Sequence, residues 1–584
     1  MYIEKINNPA DVKKLNNEQL NALAAEIRQA LIKRLSLHGG HVGPNLGIIE
    51  AAIALHYVFN SPEDKIVLDI SHQSYCHKML TGRKDAFLYE EHYDDVSCFT
   101  DPIESEHDFF IVGHTSTSVS LASGLAKARD LKGEKGNIIA VIGDGSLSGG
   151  EAFEGLDFVG EQGNNFIIVV NDNDMSIAEN HGGIYKNLKL LRETDGKAEC
   201  NYFKALGLDY VFVKDGNDIA SLTSAFKKVK DIDHPVVVHI ATQKGKGYAP
   251  AEAHREEWHG HPPFDIETGE IKDSSGGEDY TSVTANYLFD KMKKDKTVVA
   301  ITSGTPGVLG FDESKRKEFG PQFVDVGIAE EHAVALASGI AANGGKPLYG
   351  VYCTFIQRTF DQLSQDLCIN NNPATIAIFT ASVFGMTDVT HLGIYDIPMI
   401  SNIPNMVYLA PTTKEEYLAI LDWSIEQKDH PVAIRVPDNE FVSDGKKITK
   451  NFADLNRYEI TQQGSKVAVI ALGSFYKRGV EAAKKIEEMT GVKPTIINPF
   501  YITGIDKDML EGLKENHSVV ITLEDGIIDG GFGQKIASFY GNSDVKVLNF
   551  GLKKEFLNRY NANEVIKRNH LTPEQVAEDT VNVL

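Results

Sequence analysis

Asp144, Asn173 and Met175 occupy positions where α/β proteins bind their ligands. Asp144 lies in a glycine-rich turn after one buried apolar run, and Asn173 and Met175 lie in a polar cluster after the next apolar run. Because the carboxyl ends of neighbouring parallel strands meet at the ligand-binding edge of a sheet, these residues are expected to lie close together. The Asp144 carboxylate, the Asn173 amide oxygen and the Met175 carbonyl are hard oxygen ligands, and the N–H groups of Gly145–Gly149 suit phosphate oxygens. The pattern predicts a Mg²⁺–diphosphate site.

Glycine, aspartate and asparagine are also ordinary turn residues, so either half of this pattern alone indicates only a turn. The two halves are separated by residues 146–172, and each follows its own buried run. This pairing favours a binding site over two unrelated turns.

Short apolar runs alternate with helix-length amphipathic segments along the chain, which is typical of βαβ units in parallel sheets covered on both faces. The predicted fold class is α/β, with three consecutive blocks that each hold a mostly parallel central sheet. In the first block the predicted strands are Lys65–Asp69, Asn137–Ile142, Phe166–Val170 and Val236–Ile240. In the second block they are Val298–Ile301, Phe323–Val326, Leu348–Tyr352, Thr375–Phe379 and Val432–Val436. In the third block they are Val467–Leu472, Thr495–Asn498, Val519–Leu523 and Val545–Leu548.

Polar stretches separate these blocks, at Asp273–Gly277 and at Asp438–Gln463. In the first block, helices are predicted after Ser116 and after Ser148. The start of the last helix is predicted by a capping box with proline at the first helical position, formed by Thr572, Pro573 and Gln575.

The chain has 584 residues, which at roughly 150 residues per domain allows three or four domains. Its 58 Lys and Arg against 82 Asp and Glu give a net charge of −24, which disfavours a nucleic acid or an anionic membrane as partner. An anionic ligand must therefore be held by local groups. The five cysteines are scattered and form no CxxC pair, so neither a disulfide framework nor a zinc site is indicated. With no signal-like or membrane-length apolar run, a cytoplasmic location is expected.

The Gly-Asp-Gly turn with Asn173 at this distance resembles the signature of thiamine-diphosphate enzymes. Longer motifs extend the resemblance over most of the chain, in the same order, to the 1-deoxy-D-xylulose-5-phosphate synthase family of transketolase-like enzymes. These motifs are SLHGGHVGPNLGIIEAAIALHY, DISHQSYCHKMLTGR, VGHTSTSVSLASGLA, QKGKGYAPAE, WHGHPPFD, DVGIAEEHAVALASGIA, YCTFIQRTFDQL and THLGIYD. The resemblance implies a diphosphate- and Mg²⁺-binding domain over 1–277, a pyrimidine-binding domain over 278–445 and a C-terminal transketolase-like domain over 446–584.

The resemblance also implies roles for individual residues. Glu330 would hydrogen-bond the aminopyrimidine ring of the cofactor and manage proton exchange at its reactive carbon, and Phe355 would stack on that ring. Without the surrounding motifs, Glu330 is equally typical of any helix N-terminus and Phe355 of a core. Further cofactor contacts are implied at His72, Gly113, His114, Thr115, Gly145, Ser146, Asn173 and Tyr248.

Five histidines fall in short loops flanked by Gly or Ser, namely His41, His72, His114, His259 and His391. A single loop histidine is usually solvated, but all five match family positions that line the active site. The resemblance implies that His41, His259 and His391 face the substrates as catalytic residues, donating to a carboxylate or to a developing alkoxide. Close backbone approach or tight turns are expected at Gly43, Gly47, Gly113 and Gly124.

The acceptor side departs from the family pattern. Thr380 stands where the family has a phosphate-binding arginine, and Asp438 stands where a second is expected. An anion beside a phosphate turns attraction into repulsion. The substrate residues implied by the resemblance are Tyr352, Arg358 and Arg435, so part of a cationic patch remains. The acceptor is therefore expected to be unphosphorylated or otherwise different, unless remaining basic residues rebuild the pocket.

The implied reaction is a decarboxylation of pyruvate that joins the two-carbon unit to an aldehyde, in isoprenoid and thiamine biosynthesis. Two alternatives remain open. A transketolase would move a ketol unit between sugars without releasing CO₂. In the other alternative, an E1-like partner subunit would be active only with a lipoyl partner, and an inactive paralog would have no activity. The resemblance implies small-molecule substrates and a second copy of the chain in a homodimer. The cofactor residues are split between the first two blocks, so either two domains of one chain or two chains must meet at the site.

Overall fold

The computed structural model describes residues 1–272, 277–436 and 441–584. It divides into two compact units. The first unit is Met1–Gly276 with Gly327–Ala329, and the second unit is Gly277–Val326 with Glu330–Leu584. Most of the predicted polar stretch Asp273–Gly277, and Asp438 of the acceptor side, lie outside the described residues.

The first unit is built on a five-stranded parallel sheet with the strand order β1-β2-β3-β5-β4. Its strands are β1 (Lys65–Leu68), β2 (Ile138–Gly143), β3 (Phe166–Asp172), β4 (Asp209–Val213) and β5 (Pro235–Ala241). The central strands are β-branched and buried along almost their whole length, as parallel strands covered on both faces must be. Separate apolar clusters cover the two faces of this sheet.

The helices of the first unit place loops at the carboxyl edge of that sheet. They are α1 (Pro9–Val12), α2 (Asn17–His38), α3 (Gly43–Gly47), α4 (Ile49–Val58), α5 (Tyr75–Lys78), α6 (Asp85–Leu88), α7 (Ser118–Lys132), α8 (Gly150–Gln162), α9 (Gly183–Glu193), α10 (Tyr202–Ala205), α11 (Ile219–Val229) and α12 (Ala249–Ala253).

The second unit holds two sheets. The six-stranded sheet is parallel, in the order β10-β11-β9-β8-β6-β7. Its strands are β6 (Val298–Thr302), β7 (Phe323–Asp325), β8 (Lys346–Tyr352), β9 (Thr375–Phe379), β10 (Val407–Leu409) and β11 (Val432–Arg435). The five-stranded sheet has the order β12-β14-β13-β15-β16, with β12 antiparallel to β14. Its strands are β12 (Glu459–Gln462), β13 (Lys466–Ala471), β14 (Thr495–Asn498), β15 (His517–Ile527) and β16 (Lys546–Leu552).

Eleven further helices surround these two sheets in the described part of the second unit. They are α13 (Tyr280–Lys294), α14 (Glu313–Phe319), α15 (Glu330–Ala342), α16 (Cys353–Ile356), α17 (Asp396–Ile400), α18 (Lys414–Glu426), α19 (Tyr476–Thr490), α20 (Lys507–Leu513), α21 (Phe532–Tyr540), α22 (Ala562–Arg568) and α23 (Pro573–Val581). The capping box predicted for the last helix is present, with the Thr572 side chain accepting from Gln575 N.

Three mostly parallel sheets confirm the predicted α/β fold class. Sequence reasoning missed β4, β10 and β12. Strands β4 and β12 are exposed or half-buried along most of their length, and β10 has three residues, so none presents the long apolar run that the prediction relied on. The domain limits at 277 and 445 stay predictions.

In the described ranges, no helix combines the length and the apolar character needed to cross a membrane. All five cysteines are free thiols.

Candidate active site

The predicted metal ligands lie at the carboxyl edge of the first sheet, as their spacing required. Gly143 of β2 pairs with Asn171 of β3, so Asp144 and Asn173 leave adjacent strands. Asp144 is 1% exposed, and its Oδ2 accepts hydrogen bonds from Met175 N at 3.0 Å and from Asn180 Nδ2 at 2.7 Å. Two polar groups of one loop thus converge on a single buried carboxylate.

This arrangement fits a divalent metal. The Oδ1 atom of Asn173 is buried and has no hydrogen-bond partner in the part of the chain that the structure describes, which is costly unless a ligand satisfies it. Burial, followed by the charge of Asp172, raises the pKa of Asp144 to about 7, and a bound cation would favour the ionised form. The described residues hold no group of three His, Cys, Asp or Glu side chains arranged around a metal. A metal here would rely on Asp144, Asn173 and the Met175 carbonyl, the oxygen-rich set that Mg²⁺ prefers.

Asp172, the neighbouring acid at the end of β3, has a different role. Arg192 Nη1 donates to its Oδ1 at 2.7 Å, and His239 Nε2 lies 2.8 Å from its Oδ2. Burial favours the neutral acid, but the bonds to His239 and Arg192 outweigh it and lower the pKa of Asp172. Asp172 is therefore a structural anion, whereas Asp144 accepts its hydrogen bonds from the neutral groups Met175 N and Asn180 Nδ2.

The helix α9, which follows the metal loop, packs onto the rest of the first unit. Tyr185 and two leucines of α9 are buried, and the Tyr185 hydroxyl donates to the carbonyls of Asp144 and Gly145 at 3.2 and 3.1 Å. Arg192, at the other end of the helix, bonds Asp172 as described and also pairs with Asp174 at 2.7 Å. This segment is thus part of the wall of the metal site, and sequence reasoning did not assign Asn180, Tyr185 or Arg192 to it.

The turn after Asp144 is locked to the loop that carries His114 and Thr115. Ser116, with a φ of +72°, donates from Oγ to Ser146 O at 2.8 Å. A Cβ added to Gly149 would lie 2.2 Å from that same Oγ, so only glycine fits there. The buried Asp69 carboxylate accepts from the backbone N–H groups of Ser116 and Ser118 at 2.8 and 2.9 Å. The two predicted phosphate-contacting loops are held as one body.

Lys244, in the motif QKGKGYAPAE, is a functional candidate that the sequence did not predict. Its side chain is buried, and Nζ donates to Ser176 O at 2.6 Å, one residue after Met175. Burial lowers the pKa of Lys244 to about 7, against the opposing effect of Asp144. The two lysines and two glycines of QKGKGY could have suggested an anion-binding turn.

Three of the five predicted histidines come together in the first unit. The ring centroids of His41 and His72 are 4.9 Å apart, those of His72 and His259 are 5.2 Å apart, and those of His41 and His259 are 5.8 Å apart. Asn45 Nδ2 donates to the carbonyls of both His41 and His72 at 2.8 Å. Burial, followed by the charge of Lys244, places the pKa of His259 well below its usual range. His259 is therefore a neutral imidazole at pH 7.

Tyr248 and Gly124 differ from expectation. The Tyr248 ring is buried against Trp258 and Phe264, and its hydroxyl donates to Ile266 O at 3.0 Å, so we do not include it among the proposed cofactor contacts. Gly43 fits the predicted close approach, since a Cβ there would lie 2.9 Å from Trp258 O. For Gly124 the prediction is wrong, because a Cβ at this exposed helical position would meet nothing within 4 Å.

In the second unit, Glu330 is the first residue of α15 and is 1% exposed. Within the described residues its Oε2 has no hydrogen-bond partner, and Arg358 Nη1 lies 3.7 Å from this atom. Burial raises the pKa of Glu330 to about 7, although Arg358 opposes this shift. A carboxyl that titrates near the working pH suits reversible proton exchange.

The other predicted residues of the second unit follow the carboxyl ends of β8 and β9. The Phe355 ring meets those of His391 and Tyr352 edge to face, with centroids 5.6 and 6.2 Å apart. Thr380 has a φ of +56°, which is rare for a β-branched residue and marks a strained position of the kind found at functional sites.

Arg435 does not have the environment of a phosphate ligand. It is 3% exposed, with Nε donating to Asp396 Oδ2 at 2.7 Å and Nη1 bonded to Asp525. The guanidinium is thus neutralised by two buried carboxylates, and we do not carry Arg435 forward as a substrate residue.

Comparison with known proteins agrees with this geometry. Residues 3–201 match the family model of 1-deoxy-D-xylulose-5-phosphate synthase. Residues 116–300, 278–442 and 456–576 match the thiamine diphosphate binding, pyrimidine binding and C-terminal domains of transketolase. These matches establish the transketolase-like three-domain fold and confirm the predicted thiamine diphosphate cofactor with its divalent metal.

Two relatives match along almost the whole chain. The 1-deoxy-D-xylulose-5-phosphate synthase of Clostridium beijerinckii is 39% identical over 98% of this chain and 98% of its own. That of Shouchella clausii is 36% identical over 100% of this chain and 99% of its own. A solved transketolase of Campylobacter jejuni aligns with 97% of this chain and 100% of its own, at 16% identity and a TM-score of 0.45. Because these synthases align with nearly the whole chain at 36% identity or more, the chain belongs to the 1-deoxy-D-xylulose-5-phosphate synthase family, a group of thiamine-diphosphate-dependent transferases.

Proposed function

We propose that this chain decarboxylates pyruvate and joins the two-carbon unit to an aldehyde, the reaction type of its family. The observation that carries the proposal is the buried Asp144 carboxyl with the unsatisfied Asn173 Oδ1 on the adjacent strand end. A site of this kind suits a diphosphate held through Mg²⁺. The product would enter isoprenoid and thiamine biosynthesis.

The first unit would hold the diphosphate end of the cofactor. Asp144, Asn173 and the Met175 carbonyl would bind the metal, and the backbone of Gly145 and Ser146 would meet phosphate oxygens. With its pKa of about 7, Lys244 is partly protonated at pH 7, and an anionic diphosphate beside it would favour its positive charge in a chain of net charge −24. The site thus supplies locally the cations that the protein as a whole lacks.

Thiamine diphosphate, when bound, supplies the carbanion that attacks the keto carbon and stabilises the electrons left by CO₂. Glu330 would hold or release the proton exchanged with the aminopyrimidine ring, which its pKa of about 7 allows. Phe355 would pack against that ring. Among the proposed substrate-facing histidines, His259 is neutral and could donate one hydrogen bond without repelling or attracting charge.

The acceptor is proposed to be an aldehyde without a phosphate. Thr380 replaces an expected arginine, Arg435 is neutralised by buried carboxylates, and Arg358 lies 3.7 Å from Glu330. Of the proposed substrate side chains, Tyr352 and Arg358 remain for this end of the site. The competing proposal is that Arg358 and other basic residues bind the phosphate of glyceraldehyde 3-phosphate.

The deciding experiment measures CO₂ release from pyruvate in the presence of thiamine diphosphate and Mg²⁺, with D-glyceraldehyde and D-glyceraldehyde 3-phosphate as acceptors. A higher kcat/KM for D-glyceraldehyde than for its 3-phosphate supports the proposed acceptor, and a strong preference for the 3-phosphate contradicts it. If the chain releases no CO₂ from pyruvate but transfers a ketol unit between sugars, it is instead a transketolase.

Glu330→Ala tests the role of the buried acid. We expect loss of CO₂ release with little change in the affinity for Mg²⁺ and thiamine diphosphate measured by calorimetry, since the metal ligands are on other residues. Glu331→Ala, the next carboxyl of the same helical turn, is the matched control and should stay active. Full activity of Glu330→Ala would contradict the assignment.

Two coarser properties are proposed with the reaction. The free cysteines suit a reducing cytoplasm. A homodimer is proposed from the family resemblance, and sedimentation of the purified chain would measure it.

A further inference from the structure

Asp388, Thr390 and His391 form a hydrogen-bonded chain in the loop after β9. Thr390 Oγ1 donates to Asp388 Oδ1 at 2.8 Å, and Thr390 N donates to the same oxygen at 3.0 Å. On its other side Thr390 Oγ1 lies 2.7 Å from His391 Nδ1. Thr390 and His391 open the THLGIYD motif that resembles the family. The acid that the family pattern places before this pair is replaced by Thr387 here, and Asp388 is the adjacent residue. Of the three residues of this relay, only Asp388 therefore departs from the family pattern.

The hydrogen bonds among Asp388, Thr390 and His391 determine which ring nitrogen of His391 carries the proton. A hydroxyl has one proton to donate, and an ionised carboxylate only accepts. Because the Thr390 proton is directed to Asp388, its oxygen meets His391 Nδ1 as an acceptor. The Nδ1 atom must then carry a hydrogen, and in the neutral ring the lone pair lies on Nε2.

The loop that carries this relay is fixed on both sides. Thr354 Oγ1 donates to Thr390 O at 3.2 Å, and the Phe355 ring meets the His391 ring edge to face. His391 N also donates to Asp388 O at 3.0 Å. The ring is thus held by its neighbours as well as by the relay.

We propose that Asp388 and Thr390 hold His391 in the Nδ1–H form, so that Nε2 acts as a hydrogen-bond acceptor for a hydroxyl group of the acceptor aldehyde. Asp388 and Thr390 are positioning residues that act through His391. The substrate class that follows is a hydroxyaldehyde recognised by a donated O–H. This inference rests on the proposed function for the statement that His391 faces the substrate.

The chemistry of the ring supports this choice of ligand. Burial lowers the pKa of His391, against the opposing charge of Asp388, so the ring is neutral at pH 7 and above. A lone pair on Nε2 repels a carboxylate or phosphate oxygen and attracts a hydroxyl proton. A site built to accept a hydrogen bond discriminates against an aldehyde that lacks the donor.

The tautomer is measured directly, without turnover. In protein labelled with ¹⁵N-histidine, protonated and unprotonated ring nitrogens resonate far apart, and His391→Gln identifies the His391 signals by their loss. We expect a protonated Nδ1 and an unprotonated Nε2 at pH 7.5 in the unmodified chain and in Thr390→Ser, which keeps the hydroxyl. In Thr390→Val the Nδ1–H loses its acceptor, and the Nε2–H form should appear. A protonated Nε2 in the unmodified chain, or an unchanged spectrum in Thr390→Val, would overturn the inference.

Kinetics separate this role from a merely structural one. The measured quantity is the ratio of kcat/KM for D-glyceraldehyde to that for propanal, which has the same carbon chain without hydroxyls. Loss of one oriented hydrogen bond should lower this ratio by about tenfold in Thr390→Val, while Thr390→Ser restores it. An equal loss for both aldehydes would mean that Thr390 only supports the fold, and would overturn the inference. Absence of CO₂ release with any aldehyde in the unmodified chain contradicts the proposed function itself, whereas the ¹⁵N spectrum still decides the tautomer.

Discussion

Gly149→Ala should separate the two loops that Ser116 holds together. The added Cβ would lie 2.2 Å from Ser116 Oγ and 2.7 Å from Ser116 Cβ, distances that neither atom tolerates. Relief requires the Ser116 side chain or one of the loops to move. Either movement breaks the 2.8 Å hydrogen bond from Ser116 Oγ to Ser146 O.

The size of the effect follows from the steric clash with Ser116 and from the loss of its hydrogen bond to Ser146. Overpacking costs about 1 to 3 kcal/mol, and loss of the hydrogen bond costs about 1 kcal/mol more. We therefore expect a total loss of about 2 to 4 kcal/mol, divided between the free energy of unfolding and that of cofactor binding. If loop separation takes most of it, the affinity for thiamine diphosphate falls by roughly 30-fold or more.

Urea unfolding and titration calorimetry with thiamine diphosphate in excess Mg²⁺ measure the two parts. Second substitutions at Ser116 should relieve the clash to different degrees. Ser116→Ala removes only Oγ, whereas Ser116→Gly removes both Oγ and Cβ and tolerates the φ of +72° at this position. Gly149→Ala should thus be partly rescued by Ser116→Ala and more fully by Ser116→Gly. Gly150→Ala is the control, since a Cβ there meets nothing within 4 Å. Additive effects of Gly149→Ala and Ser116→Gly would refute the reasoning.

Arg435→Met should destabilise the second unit by about 3 to 5 kcal/mol in urea unfolding, because two buried carboxylates lose their cation, and Arg435→Lys should lose less. A change below about 1 kcal/mol would show that the ion pairs contribute little. Burial, followed by the charge of His77, places the pKa of His56 well below its usual range. In the unfolded chain His56 becomes protonated near pH 6.5, whereas in the folded chain it stays neutral. The free energy of unfolding therefore falls as the pH drops below 6.5, by up to about 1.4 kcal/mol per pH unit. Thermal unfolding between pH 7.5 and 5.5 should lose part of this slope in His56→Gln but not in a His92→Gln control at the surface, and equal slopes in all three proteins would contradict the assignment.

Buried runs and their spacing were enough to predict most of the sheets. β-Branched runs such as Phe166–Asp172 are apolar over their whole length because both faces are covered. An edge strand such as β12, exposed at three of its four residues, carries no such signal. The ends of neighbouring parallel strands could be paired from the sequence, which is why Asp144 and Asn173 were placed together.

Side chains that act through distant partners could not be predicted. Arg435 meets Asp396 and Asp525, 39 and 90 residues away, and no local pattern records those contacts. Asn180 reaches Asp144 only because the following helix packs back on the sheet. Tyr248 stands in a motif shared with the family, yet its hydroxyl bonds Ile266 O, since its surroundings and not its motif decide its partner.

The anchoring of α9 has a thermodynamic consequence. Because Tyr185 and Arg192 fix this helix to the strand ends through Gly145 O and Asp172, the entropy lost in ordering the segment is part of folding and is absent from ligand association. A flexible cover would become ordered again at each binding event, with a large negative heat-capacity change. In this chain the wall of the metal site is preorganised, so association should need no coupled folding of residues 183–193.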